Sequence, residues 1–281
     1  MPYRTIAVHV NASRHTRERI VLAARIAVEN DAHLIGVAPT GVLPILYSGG
    51  MVPGAAPVLD ACLTYMKEHA EKALADFEQI ADRNNVRSFE KRLIEDEAGE
   101  ALSLQARYSD LVIVGQSDPA EPLSSERSDV AEYVLLNSGR PILVAPYVDD
   151  HSNFGSRAVI AWDGSLAAAR AVNGALPLLR ATRQVQVVLF NPEISLRAHG
   201  EEPGADIAAY LVRHGINVDV SRQKTTPDID VANALLSHVA DYGAGLIVMG
   251  GYGRSRLSEI LLGGTTRTVL QSMTVPVLIS H

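Results

Sequence analysis

An α/β chain of two tandem, doubly wound parallel sheets is what this sequence predicts, and three observations predict it. Short, nearly continuous apolar runs alternate with longer stretches of helical periodicity, the pattern of parallel strands covered on both faces by crossover helices. The pattern also occurs twice. Leu111-Val112-Ile113-Val114-Gly115 lies on Leu246-Ile247-Val248-Met249-Gly250 at an offset of 135, and the same offset lays Pro141-Ile142-Leu143-Val144 on Pro276-Val277-Leu278-Ile279 without a gap. The third observation is how one of these runs ends. After Met249 the chain enters Gly250-Gly251-Tyr252-Gly253, and after nine further residues Gly263-Gly264 lead into Thr265-Thr266-Arg267-Thr268-Val269-Leu270. Glycines give the backbone access to positive φ and to close ligand approach. A helix that starts from them presents free N–H groups and the positive end of its macrodipole, so an anion is the ligand to expect there.

Taken in order, Arg4 to Val10 reads as a strand, Arg14 to Glu29 as an amphipathic helix and His33 to Ala38 as a second strand. Residues 39–57 hold Pro39, Pro44, Pro53 and Pro57 among four glycines, which no single regular element tolerates. A long helix from Leu59 to Asn84 places Leu63, Met66, Ala70, Leu74, Phe77 and Ile80 near helical spacing. Strand Ser88 to Ile94, helix Ala98 to Tyr108, strand Leu111 to Gly115, a helix near Asp129 to Leu136 and a strand from Pro141 follow. The first units of the two halves align at an offset of 152, with Val10-Asn11-Ala12-Ser13 on Trp162-Asp163-Gly164-Ser165. The two offsets differ by 17, so the first half carries about that many extra residues, and the proline-rich stretch accounts for them.

Residues 147–156 are polar and unpatterned and read as a linker, giving a first domain over 1–147 and a second over 156–281. The second half repeats the elements: strand Ala158 to Trp162, helix Leu166 to Ala181, strand Gln186 to Phe190, helix Ala205 to His214 and strand Asn217 to Arg222. Helix Ile229 to Tyr242, strand Leu246 to Gly250, a helix from Thr265 and strand Val275 to Ser280 complete it. Right-handed crossovers wind each set of strands both ways.

Composition narrows the function. The chain has 281 residues, is 47% hydrophobic and 5% aromatic, and carries a net charge of -7. Nucleic-acid binding by counterion release and attraction to anionic lipid both need a basic surface, so neither partner is expected. One cysteine, Cys62, makes no internal disulfide, and no apolar run approaches the ~20 residues of a membrane span, which together suggest a cytoplasmic protein. The nine histidines show no metal-ligand spacing, and no Ser/His/Asp set or Gly-x-Ser-x-Gly elbow is present, so neither metal nor catalytic residues are assigned.

The spacing Gly250-x2-Gly253-x9-Gly263, with Ala161-Trp162-Asp163-Gly164-Ser165 after an earlier strand and Val275-Pro276-Val277-Leu278-Ile279 after the loop, resembles the universal stress protein family. The loop lacks the Lys-Ser/Thr of a Walker A motif and the tight spacing of a dinucleotide fingerprint. What the resemblance implies is five strands per domain in the order 3-2-1-4-5, the adenine-nucleotide alpha hydrolase-like (HUP) fold. Ligands in such sheets collect where the winding reverses, between the first and fourth strands. By position, Asp163 then matches the family's aspartate near the adenosine, Asn191 the residue lining the base, and Gly250, Gly253 and Gly263 the phosphate-loop glycines. ATP-binding members have Ser or Thr after the third glycine; here stands Gly264, while Thr265 and Thr266 follow. The implied ligand is ATP or AMP, with Mg²⁺ only beside ATP.

In the first half the same positions read Gly115-Gln116-Ser117-Asp118, Ser128, Asp129 and Ala131, with Asn11 in place of Asp163. Carboxylates near phosphate, without an opposite charge, argue that this half has lost the phosphate site. The family resemblance further implies an intramolecular pseudo-dimer, with Pro141 to Ala145 and Val275 to Ser280 as pairing edges, and allows a homodimer. The expected role is stress response or signalling without catalysis, slow ATP hydrolysis at most. The alternatives are a nucleotide-free scaffold that binds a protein or apolar metabolite through the first domain and its 39–57 insertion, and an ATPase on the same fold.

Overall fold

The computed structural model describes residues 1–41, 56–121, 129–148, 151–192, 202–225, 229–252 and 264–281. Most of the proline-rich insertion, and Gly253 and Gly263 of the glycine loop, lie outside these described residues. Contacts divide the chain into two compact units, Pro2–Ser138 and Gly139–His281, here the N-terminal and C-terminal units.

In the N-terminal unit the strands are β1 (Thr5–His9), β2 (His33–Pro39), β3 (Phe89–Ile94) and β4 (Leu111–Gly115), and the helices are α1 (Thr16–Asn30), α2 (Ala56–Arg83), α3 (Ala98–Ala106) and α4 (Val130–Asn137). All pairings are parallel, in the order β3-β2-β1-β4. Ile6, Val8, Leu34, Val37, Leu111 and Ile113 are wholly buried, as strands covered on both faces require. Helix α2 buries Met66, Ala70, Leu74, Phe77 and Ile80, five of the six residues whose spacing marks it, while Leu63 remains exposed near its start. Phe77 lies so close over β2 that a Cβ on Gly36 would meet its ring at 2.7 Å, which makes that glycine a packing requirement.

The C-terminal unit contains β5 (Ile142–Ala145), β6 (Arg157–Ala161), β7 (Gln184–Phe190), β8 (Val218–Gln223), β9 (Leu246–Gly250) and β10 (Val277–Ser280), with helices α5 (Leu166–Ala181), α6 (Ala205–Arg213), α7 (Val231–Tyr242) and α8 (Gly264–Ser272). Its parallel strands run β8-β7-β6-β9-β10, the order 3-2-1-4-5 of the expected fold. Strand β5 pairs antiparallel with β10, Leu143 opposite Leu278. The division therefore falls at Ser138/Gly139, before β5, and not in the polar stretch around residue 150 that the sequence reading takes as a linker. The physical reason is that the last strand of the first repeat finds its antiparallel partner in the last strand of the second.

Local sequence sets the ends of α5 and α7. Ser165 has extended backbone and accepts a hydrogen bond from the Ala168 N–H at 3.1 Å, capping α5. Gly243, at φ 66°, closes α7 in the left-handed region that glycine occupies without strain.

Candidate functional site

The carboxyl ends of β6 and β9 are neighbours in the C-terminal unit, at the point where the winding reverses. A cleft of about 280 Å³ opens there. Its floor is apolar, from Ala161, Val188, Phe190, Val231, Leu235 and Met249, and its rim is formed by Trp162, Asp163, Gly250, Tyr252 and the start of α8. Five of the eight residues singled out by sequence, Asp163, Gly250, Gly264, Thr265 and Thr266, line this one cleft. Gly253 and Gly263 lie outside the described residues.

Asp163 is exposed, and one of its carboxylate oxygens accepts the Ser165 N–H at 2.9 Å. It therefore shapes the turn into α5, while Ser165 is the cap. Thr266 is buried, and its hydroxyl oxygen accepts the Tyr252 N–H at 3.3 Å, which holds the start of the glycine loop against α8. A threonine hydroxyl that accepts one bond still has its own proton to donate, and Thr266 lines the cleft. The first N–H groups of α8 have no intrahelical acceptor. Among the described residues a Cβ at Gly264 would meet nothing within 4 Å.

Gly250, besides lining the cleft, has a packing role. A Cβ there would sit 2.5 Å from the Ala168 nitrogen and 2.9 Å from the Ala167 carbonyl carbon, both backbone atoms of α5. Its lack of a side chain allows α5 to start directly against β9. Asn191 does not line the cleft. It sits at φ 48° beyond β7, its amide nitrogen donates to the Thr225 hydroxyl at 2.7 Å, and its amide oxygen accepts the Thr225 N–H at 3.0 Å. That amide ties the segments after β7 and β8 together instead of facing a base. The floor residues Val188, Phe190, Val231 and Leu235 escape the sequence reading, although their i,i+2 and i,i+4 spacings place each pair on one face of its element.

The corresponding crevice of the N-terminal unit, between the ends of β1 and β4, is filled by the protein itself. Arg19, 4% exposed, donates from Nε to the His9 carbonyl at 2.8 Å and from Nη2 to the Asn11 amide oxygen at 2.7 Å and the Thr16 hydroxyl at 2.9 Å. Its Nη1 lies 2.1 Å from where a Cβ on Gly115 would stand. At the 152 offset the second half has Ala171, too short to reach across. Nearby, Asp118 is bonded to Arg14 and, at 3.0 Å, to His15, so the uncompensated carboxylate expected from sequence has its opposite charge. The Arg14 hydrogen bond, aided by the Ala120 N–H and His15, holds the Asp118 carboxyl down at about 2. Among the described residues His15, Asp118 and Glu121 form one group with metal-ligand chemistry, but Arg14 is already placed on both carboxylates.

No curated protein matches the sequence. The model of the Universal stress protein family matches residues 156–281. In structure, a universal stress protein from Archaeoglobus fulgidus DSM 4304 aligns over 98% of this chain and 95% of its own at 19% identity and a TM-score of 0.71. A functionally unknown protein from Pseudomonas aeruginosa PAO1 aligns over 99% and 92% at 16% identity and a TM-score of 0.61. A universal stress protein from Archaeoglobus fulgidus, solved in complex with dAMP, is similar over 51% of this chain and 98% of its own, at 17% identity and a TM-score of 0.34. Among the described residues no helix is long and apolar enough to cross a membrane.

Proposed function

Given that residues 156–281 belong to the universal stress protein family, we propose that this chain binds one adenine nucleotide, ATP or AMP, in the cleft of its C-terminal unit and acts in stress response or signalling through that occupancy. The observation that carries the reading is the convergence of Asp163, the Thr266 hydroxyl and the start of α8 on one cleft with an apolar floor. The floor suits the faces of a flat base, the carboxylate accepts hydrogen bonds from ribose hydroxyls or an exocyclic amine, and the helix start receives phosphate. Mg²⁺ accompanies ATP alone, held chiefly by the phosphates. The chain acts as a binding protein with slow hydrolysis at most: Asp163, the cleft's carboxylate among the described residues, is engaged in its turn and is not placed as a water-activating base.

Calorimetric titration of nucleotide-stripped protein with ATP and AMP tests this. One site per chain is expected, weakened roughly ten- to a hundredfold in Asp163→Ala, the worth of one charge-assisted hydrogen bond. Absence of binding at millimolar nucleotide overturns the reading. Turnover that is fast in the wild type and abolished in the variant would replace it with an ATPase.

A further inference from the structure

A second cleft, of about 370 Å³, opens in the N-terminal unit between α1 and α2. It adjoins the crevice that Arg19 fills, sharing Asn11 and Thr16 with it, and the charged side chains on its lining are mostly cationic. The apolar floor comes from Ile20, Ala73 and Ile80, all buried, and the Arg17, Lys72 and Arg83 side chains stand on its lining. On α2 the positions 69, 72, 76, 80 and 83 recur at three or four residues, so one helix face supplies that whole wall.

The state of these charges is informative. Several surface cations of this unit find carboxylates: Arg25 pairs with Glu29, Arg87 with Asp31, Lys91 with Glu78, Arg92 with Glu90, and Arg14, on the cleft's own lining, with Asp118 and Glu121. Among the described residues Arg17, Lys72 and Arg83 pair with none, although Asp76 lines the same cleft. Glu78, the next acid on α2, is drawn away to Lys91. In a chain of net charge -7, three cations left facing one cavity with a single carboxylate make a local reversal of sign. Arg83 also lies in the last turn of α2, where a cation complements the helix dipole, so the weight rests on Arg17 and Lys72.

We infer that the α1–α2 cleft of the N-terminal unit is a binding site for a small molecule with several anionic oxygens, a di- or triphosphate group or a polycarboxylate, held by Arg17 and Lys72 above an apolar floor. Guanidinium and ammonium groups recognise such oxygens with charge-assisted hydrogen bonds, and the Ser13 hydroxyl on the same lining adds a neutral donor. The site is independent of the nucleotide cleft.

The test is calorimetric titration of the full chain at low salt with inorganic pyrophosphate and, separately, with citrate, which distinguish the phosphate from the carboxylate source. Binding of at least one of them is expected, weakened by roughly tenfold or more in the charge reversal R17E/K72E. The neutral variant R17Q/K72Q, with the same melting temperature as the wild type, is expected to show a smaller loss in the same direction. R17E/K72E is expected to leave ATP and AMP binding in the C-terminal cleft unchanged, which separates the two sites and makes failure of one reading distinguishable from failure of the other. Binding of neither anion at millimolar concentration, or equal binding by wild type and R17E/K72E, overturns the inference.

Discussion

Gly250→Ala distinguishes a packing glycine from a ligand-contact glycine. The added methyl would lie 2.5 Å from the Ala168 nitrogen, 2.9 Å from the Ala167 carbonyl carbon and 3.0 Å from the Ala167 Cβ. Backbone cannot rotate out of the way as a side-chain tip can, so the start of α5 must retreat by roughly 1 Å to restore ordinary contact, and overpacking of this kind costs about 1–3 kcal/mol. The retreat also disturbs the Ser165 cap, worth about 1 kcal/mol. A loss of about 2–4 kcal/mol is therefore expected, a large share of the ~5–15 kcal/mol that holds a typical domain. The chain has one tryptophan, Trp162, and it lines the cleft in the same unit, so urea unfolding followed by its fluorescence reads the change directly. Gly115→Ala is the comparison, because there the methyl meets the tip of Arg19, which can shift at the expense of about one charge-assisted hydrogen bond, ~1.5–3 kcal/mol. A Gly250→Ala protein within about 0.5 kcal/mol of the wild type would refute the packing argument, since that is the range of a neutral surface change.

Gly264→Ser places its side chain where no described residue lies within 4 Å, at the head of α8, and supplies the hydroxyl that the family resemblance implies there for ATP binding; ATP affinity is expected to rise about tenfold, read by the same titration. Asn191→Ala removes both hydrogen bonds to Thr225 and puts alanine at a positive φ, so stability should fall by about 1–2 kcal/mol in urea while nucleotide affinity stays within about twofold. For Asp118 the folded carboxyl, at about 2, lies below its unfolded value of 3.8, so its stabilisation is complete above the unfolded value and is lost as pH falls toward about 2. The gap in urea midpoint between wild type and Asp118→Asn should accordingly be constant near neutrality and close as pH is lowered below about 4.

The strands were legible because burial on both faces leaves an unbroken apolar run, as in Leu246 to Met249, and helix bounds came within a few residues wherever a cap such as Ser165 marked them. The cleft was legible in the same measure: residues that the topology brings to one sheet edge, Asp163 and Gly250, belong to strands whose adjacency follows from the winding. Side-chain destinations were not. Asn191 stands at the right strand end but points its amide to Thr225, a partner 34 residues away that no local pattern reveals. Arg19 passes unmarked on a helix read only as amphipathic, because Asn11, Thr16 and Gly115 come around it only in the packed structure. Gly250 stands on the cleft as expected, but its packing against a helix backbone was not legible, because only the packed structure shows that distance.

The place of β5 bears on how such a chain arose and how it can be divided. By ancestry that strand closes the first copy of a duplicated segment, since Pro141 to Val144 matches Pro276 to Ile279, yet by contact it belongs with the second. The inherited module and the cooperative module are thus out of phase by one strand. A gene cut at the duplication seam would release a second copy whose β10 carries an open ladder of N–H and C=O groups, an edge that recruits another chain. After the duplication, a covered edge became the property of the fused polypeptide, and the two copies ceased to be interchangeable.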